Sequence, residues 1–477
     1  MKPMSLVIPT YRLRDVGDTV NEYAASLEHY GHEAPICVFD DSDETIHRRD
    51  FALFCHKTDA VTVLYVGPAE KARFVEELQG RVDARHRPHL ARALRPSYGG
   101  NRNFTVLYTL TEHFVSVDDD MRPHGLHHVE PETLGERDVL KGTYVDKQDP
   151  DQVVRKTSYD LVTAYREVLG KPVKDLTAGR LAGASLVDSM TELYTNVTRG
   201  TLEPNTVSLV GGPIRPDATV MTAQTFRSGS ADVDAVDYAN DFLVNPENVL
   251  VNDMALRYVI QAHRPCVTAT NWRLDCGISA YDNSNGLPPF LPTTLRFEDY
   301  GYRLWLQEPR FAAAHVDAVQ THYRNPYMRA GLAHDLWNEG VANYLKGRLM
   351  ASLEEVRDTQ LVFDGNVEVD RRDTEPIMDT GLRYYRLALR RASEEAEAKK
   401  GDLLRRLRMA RHFAAFASDL YRWFDGFDLD VFHAHLQHTV ASEVADIRTT
   451  MGMWPTVLDA ALDIRSEGRL PRCTRER

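Results

Sequence analysis

Between Leu6 and Val117, short apolar runs of strand length alternate with stretches patterned for helix. That alternation limits the fold more than any other feature of the chain. Leu6–Ile8, Ile36–Phe39, Val61–Val66 and Phe114–Val117 are short and rich in the branched and aromatic residues that suit a covered sheet. Between the first two, Val16, Val20, Ala24, Leu27 and Tyr30 recur at helical spacing, with Asp15 as the expected N-cap and Gly31 as the expected stop. A further helix is expected from Asn103 to His113. Strands that alternate with helices need crossover connections. The expected fold class is therefore α/β and Rossmann-like, a mostly parallel sheet with helices on both faces.

Sheets of this kind bind ligands at the carboxyl ends of their strands. Three polar clusters fall there: Pro9, Thr10 and Tyr11 after the first strand, Asp40 and Asp41 after the second, and Asp118, Asp119 and Asp120 after Phe114–Val117. The last is the most demanding, because neighbouring carboxylates repel one another. A divalent cation removes that repulsion; Mg²⁺ and Mn²⁺ take oxygen ligands and leave positions open for phosphate. Asp118 and Asp120 suit one metal–phosphate centre. The competing reading is a solvated acidic turn.

The middle of the chain is mixed. Val207–Val210 running into Gly211–Pro213 reads as strand and turn, and Asp275–Ala280 and Asp282–Pro289 read as loop. Leu295–Leu306 reads as an amphipathic segment opened by Glu298 and Asp299. Residues 365–380 are polar and acidic, the pattern of a linker. Leu403, Leu407, Ala410, Ala414, Ala417 and Phe424 trace a helical stripe, and Val440, Val444 and Ile447 trace another. A length of 477 residues accommodates a domain over 1–330 and a mainly helical extension over 331–477.

Composition narrows the partners. A formal net charge of −13 disfavours nucleic acid, whose affinity rests on excess Lys and Arg. No apolar run approaches the roughly 20 residues that span a bilayer. The chain enters a strand almost at once, without a secretory signal, and its five cysteines form no CxxC pair. Reduced thiols and a cytoplasmic location are expected. The arginines between Arg383 and Arg411, interleaved with Glu394, Glu395 and Glu397, read as a salt-bridged solvated face, with peripheral membrane contact as the alternative. His124, His127 and His128 read as surface or loop histidines.

In order along the chain, Leu6–Tyr11, Val38–Ser42, Gly99–Asn103, Val117–Asp120 and Glu298–Asp299 resemble the motifs of the GT-A fold glycosyltransferases, in particular the family-2-like nucleotide-sugar transferases. The resemblance covers residues 5–325 and leaves out the helical extension. It implies transfer of a sugar from a nucleoside-diphosphate sugar donor to an acceptor hydroxyl, with Mn²⁺ or Mg²⁺ as cofactor and inversion at the anomeric carbon. It implies that Pro9, Thr10 and Tyr11 line the nucleotide pocket and that Asp41, or Asp40, accepts a base N–H. Arg102 and Asn103 would meet the diphosphate, Asp118 and Asp119 the donor, and Asp120 the metal, with Asp118 and His322 as further ligands. Asp299, with Glu298 next, would take the acceptor proton. Two alternatives stand: a nucleotidyltransferase acting on a sugar phosphate, disfavoured because no glycine precedes Gly17, and a non-catalytic scaffold of the same fold.

Overall fold

Strand β1 (Met4–Thr10) carries apolar side chains on both faces, and each face meets a different layer of helices. The computed structural model describes residues 2–11, 13–42, 61–129, 143–145, 153–178, 195–198, 201–204, 215–230, 258–262, 266–269, 275–292, 295, 298–299, 302, 310–323, 337–338, 340–342, 344–345, 368–398, 403–424 and 428–474. Met4, Leu6 and Ile8 join a core closed by α1 (Leu13–His29) through Val16, Val20, Tyr23 and Leu27. Val7 faces the opposite core. There it meets Cys37 and Phe39 of β2 (Ile36–Asp40) and Leu64 and Val66 of β3 (Val63–Val66). That core is covered by α2 (Pro68–Arg81), α3 (Arg87–Ala93) and α4 (Tyr98–Tyr108), with Phe74, Leu90 and Phe104 facing the sheet. Side chains alternate along a strand, so a strand covered on both faces needs an unbroken apolar run.

β1 pairs in parallel with β2 and with β4 (His113–Val117), and β2 pairs in parallel with β3. This block matches the α/β expectation. The rest of the sheet does not. β4 leaves the sheet through Asp118–Asp120, and β5 (Met121–Arg122) follows. β6 (His124–Val129), β7 (Thr143–Val145) and β8 (Val153–Ser158) form a small antiparallel sheet. Then come α5 (Leu161–Arg166), α6 (Val173–Ala178) and the strands β9 (Thr195–Thr198), β10 (Thr201–Pro204), β11 (Thr219–Ser230), β12 (Tyr258–Ala262) and β13 (Cys266–Ala269). The chain regains β4 at the edge it left, so β14 (Ile278–Asp282) runs antiparallel to it, Ile278 opposite Val117. A strand that re-enters at the same edge needs no crossover helix. β11 runs antiparallel to β14 and parallel to β15 (Phe311–His322). The sheet is therefore mixed, not mostly parallel.

Several boundaries move. α1 begins at Leu13, before Asp15, although Gly31 does end its turn with φ +72°. α4 begins at Tyr98, not Asn103, because Ser97 caps it: its Oγ accepts from the Gly100 N–H at 2.9 Å. A Cβ on Gly99 would stand 1.6 Å from the Leu291 carbonyl oxygen, so the helix start needs glycine to approach that loop. Asp275–Gly277 is a turn, but Ile278–Asp282, expected as loop, is β14. His124 is buried on β6, its Nδ1 3.3 Å from Glu22 Oε2, not on the surface. The Val207–Pro213 segment and most of Leu295–Leu306 lie outside the described residues.

The C-terminal region is helical, as expected: α7 (Arg371–Glu397), α8 (Leu403–Phe424) and α9 (Leu429–Ser466). α7 takes in Arg371–Thr380, which the polar composition had assigned to a linker; its inner face is sparse, with Thr374, Tyr384 and Ala388 buried. The 38-residue α9 serves two cores. Phe432, Leu436, Val440 and Ile447 pack with α7 and α8. Met453, Trp454, Val457 and Ile464 pack beneath the sheet with Phe74 and Phe104. Beyond it, β16 (Cys473–Thr474) pairs antiparallel with β3.

Candidate functional site

Because β1, β2 and β4 are adjacent and parallel, their carboxyl ends share one rim. Thr10, Asp40, Asp41 and Asp118–Asp120 are brought together there by topology alone. Thr10 Oγ1 donates to Asp119 Oδ2 at 2.6 Å, and the Asp41 N–H donates to the Thr10 carbonyl at 2.9 Å. Asp119 is buried, and its carbonyl also accepts from Thr19 of α1. Its polar atoms thus tie β1, the acidic turn and α1 into one frame. Tyr11, one residue beyond β1, is 59% exposed and stands at the rim as an aromatic face.

The acids of β2 meet the protein's own donors. Asp40 is fully buried; Oδ1 accepts from the Ser42 N–H at 2.9 Å and from its hydroxyl, and Oδ2 accepts from the Tyr65 hydroxyl at 2.8 Å. Asp41 Oδ1 pairs with Lys71 Nζ of α2 at 2.5 Å. Lys71 also donates to Asn101 Oδ1 at 2.7 Å and lies over the Phe104 ring. Asn101 in turn donates to the carbonyls of Thr10 and Phe39. Burial pushes the Asp41 carboxyl up and the Lys71 ammonium down, each against the pull of the other.

The acids of β4 are arranged differently. Asp118 Oδ1 accepts from Arg102 at 2.8 Å, and Arg102 also donates to Ser116 Oγ and the Cys276 carbonyl. Arg102 is buried on α4 and acts directly on Asp118. The recessed setting of Asp118, and then Asp120 and Asp275 beside it, raise its carboxyl above the usual range, while Arg102 opposes them. Its side chain keeps 41% of its surface open to solvent, so burial counts less for it than for Asp299. Asp120 Oδ1 lies 3.4 Å from His322 Nε2, which arrives on β15. The Tyr323 N–H donates to the Asp120 carbonyl at 2.7 Å, fixing that strand end against the acidic turn.

Glu298 and Asp299 fall within electrostatic reach of Arg102. Asp299 Oδ1 is buried with no hydrogen-bond partner among the described residues, and the Cys276 thiol bonds to the same carboxyl. Burial first, then the charge of Glu298, holds the Asp299 carboxyl well above the usual range. Asn103 stands apart: it is fully buried and bonds the carbonyls of Ala93 and Phe290 and the Phe290 N–H.

Among the described residues no three His, Cys, Asp or Glu side chains are gathered into a ready metal site. Asp120 and His322 supply one carboxylate and one imidazole at a single point. That donor set holds a divalent cation only when phosphate and water oxygens complete it.

Lys71, Tyr65, Arg122 and Cys276 are not apparent from motif order. Lys71 has one signal in the sequence: it follows β3 by a single helical turn, which puts it at the same strand-end rim. Arg122, from β5, donates to the Thr19 hydroxyl that holds the Asp119 carbonyl.

No protein-family model matches the chain, and no curated protein matches it. Among solved structures, the crystal structure of S. aureus TarS 1–349 is a distant likeness. It is 12% identical, with 95% of this chain and 91% of that chain covered at a TM-score of 0.27. No described helix is long and apolar enough to cross a membrane.

Proposed function

We propose that this protein is a metal-dependent glycosyltransferase that moves a sugar from a nucleoside-diphosphate donor to an acceptor hydroxyl, with inversion. The observation that supports the reading is the convergence of Thr10, Arg102, Asp118, Asp120 and His322 on the rim of one parallel block, with Asp41 paired to Lys71 as framework. Tyr11 offers its exposed ring to the base. Asp120 and His322 hold the cation, and Asp118, steadied by Arg102, faces the donor. A bound Mn²⁺ or Mg²⁺ supplies charge neutralisation for the departing diphosphate. Asp119 and Asn103 serve as framework, since their polar atoms meet other parts of the chain.

Asp299 is the proton acceptor in this reading. A general base works best when its pKa approaches the working pH, and a buried carboxyl beside Glu298 is shifted in that direction. Arg102 opposes that shift. Residues 1–330 carry the transferase and 331–477 extend it, with α9 bracing the sheet from below.

Calorimetric titration of UDP, GDP and dTDP, with and without Mn²⁺, tests the proposal. The expected result is binding of one nucleotide that requires the metal, and its loss in Asp120→Ala. Asp299→Asn is expected to bind the same nucleotide and transfer nothing. Metal-independent binding, or binding of a nucleoside triphosphate in preference, would sink the reading.

A further inference from the structure

We propose that the outer face of the α7–α8 pair is a docking surface for an anionic lipid bilayer. α8 has two apolar stripes. Met409, Phe413, Phe416, Ala417 and Leu420 are buried in the C-terminal core. Leu403, Leu404 and Leu407, over its first two turns, are 59, 74 and 51% exposed. Leu389, on the carboxyl half of α7, is a further exposed leucine, and α7 and α8 pack side by side. Three large leucines in the first two turns of one helix exceed the scattered exposure that a soluble surface ordinarily shows.

Charge identifies the occupant. Residues 382–393 of α7 and 403–418 of α8 each carry four arginines and no aspartate or glutamate, in a chain of net charge −13. Arg383, Arg386 and Arg411 are exposed. Acids flank both stretches: Asp379 and Glu394 on α7, where Glu394 meets Arg390 and Arg391, and Asp402 and Asp419 around the α8 stretch, where Asp419 meets Arg422 outside it. Exposed leucines interleaved with arginines are the pattern of a helix lying in a membrane interface, with apolar side chains in the acyl boundary and guanidinium groups at lipid phosphates. A symmetric contact with a second copy would set arginine against arginine. A nucleic-acid backbone would use the arginines and leave the leucines in water. A bilayer with anionic headgroups satisfies both sets. This inference does not depend on the sugar-transfer reading.

Co-sedimentation of the full chain with vesicles of phosphatidylcholine, with and without phosphatidylglycerol, tests it. The chain is expected to partition onto the phosphatidylglycerol vesicles at low salt and to leave them at high salt. Replacing the three leucines together (Leu403→Ser, Leu404→Ser, Leu407→Ser) should lower the partition by at least ~tenfold. Arg411→Ala alone should lower it roughly fivefold. All four side chains are exposed, so the melting temperature should hold. No partition, equal partition onto neutral vesicles, or partition unchanged by the leucine replacements would overturn the proposal. So would a dimer in sedimentation equilibrium that the leucine replacements dissolve, or retention of single-stranded DNA that needs Arg411 and not the leucines.

Discussion

The ends of β2 and β4 look alike in sequence, each an apolar strand running into adjacent aspartates, yet they have opposite surroundings. Asp40 and Asp41 are met by Ser42, Tyr65 and Lys71. Asp118 and Asp120 are met by Arg102 and His322, and Asp118 keeps much of its surface in water. Repulsion between carboxylates is thus answered from inside the protein at one strand end. At the other, the answer is left partly to whatever arrives from outside. An acidic pair at a strand end is therefore ambiguous until its counter-charges are known. In the proposed reading, Asp41, closed off by Lys71, is framework, and the partly open Asp118 together with the Asp120–His322 contact forms the site.

Two substitutions should fail in opposite ways if this contrast holds. Asp120→Asn keeps the shape and removes the charge. Transfer should fall on the order of a thousandfold in a steady-state assay, because the cation is lost with its neutralising effect. Stability by urea unfolding should stay within about 1–2 kcal/mol. Lys71→Met leaves Asp41 buried without its cation, a loss of about 3–5 kcal/mol in the same unfolding experiment. A stable Lys71→Met protein that no longer bound nucleotide would collapse the distinction, since both strand ends would then face the ligand.

A gentler change sharpens the β4 side. A Cβ on Gly277 would lie 2.5 Å from Asp118 Oδ2 and 2.6 Å from its Cγ, so the whole carboxylate must move, and its side chain is 41% exposed. Gly277→Ala should therefore turn Asp118 away from Arg102 without unfolding the sheet. Transfer is expected to drop by roughly tenfold, the scale of a misplaced positioning group. Unchanged kinetics would mean that the orientation of Asp118 does not matter.

How far the chain could be read from its residues follows the same physics. β1, β2 and β4 were legible because strands covered on both faces must be apolar throughout. β14 was not, because Ile278–Asp282 is flanked by Asp275–Gly277 and by an Asn- and Gly-containing turn, and local composition outweighed its pairing with β4. The start of α4 is hidden because a Gly-Gly pair does not mark a helix, while the determining residue is the Ser97 cap. α8 is legible, but its exposed leucines and its buried face are both apolar; a helix with two apolar stripes does not declare which one faces inward. At the rim, the acidic triplet and its order relative to Thr10 and Arg102 were visible. Lys71 was not, because one lysine on a helix looks like any solvated lysine until Asp41 is seen beneath it.

The smallest expected effect concerns Asp299, where the carboxyl is neither matched like Asp41 nor open like Asp118. Its folded pKa lies well above that of the unfolded chain, through burial and the neighbouring Glu298. The protonated form is therefore the one the fold favours. The associated stability is complete below the unfolded pKa, near 3.9 for an aspartate, and is lost as pH rises through the folded value. Asn cannot ionise and escapes that loss. Asp299→Asn should match the parent in thermal melts at acid pH and exceed it increasingly as pH rises, even though it cannot accept a proton. A gap that stays constant with pH would mean that Asp299 is already ionised in the folded state, its charge balanced by Arg102 as Asp41 is by Lys71.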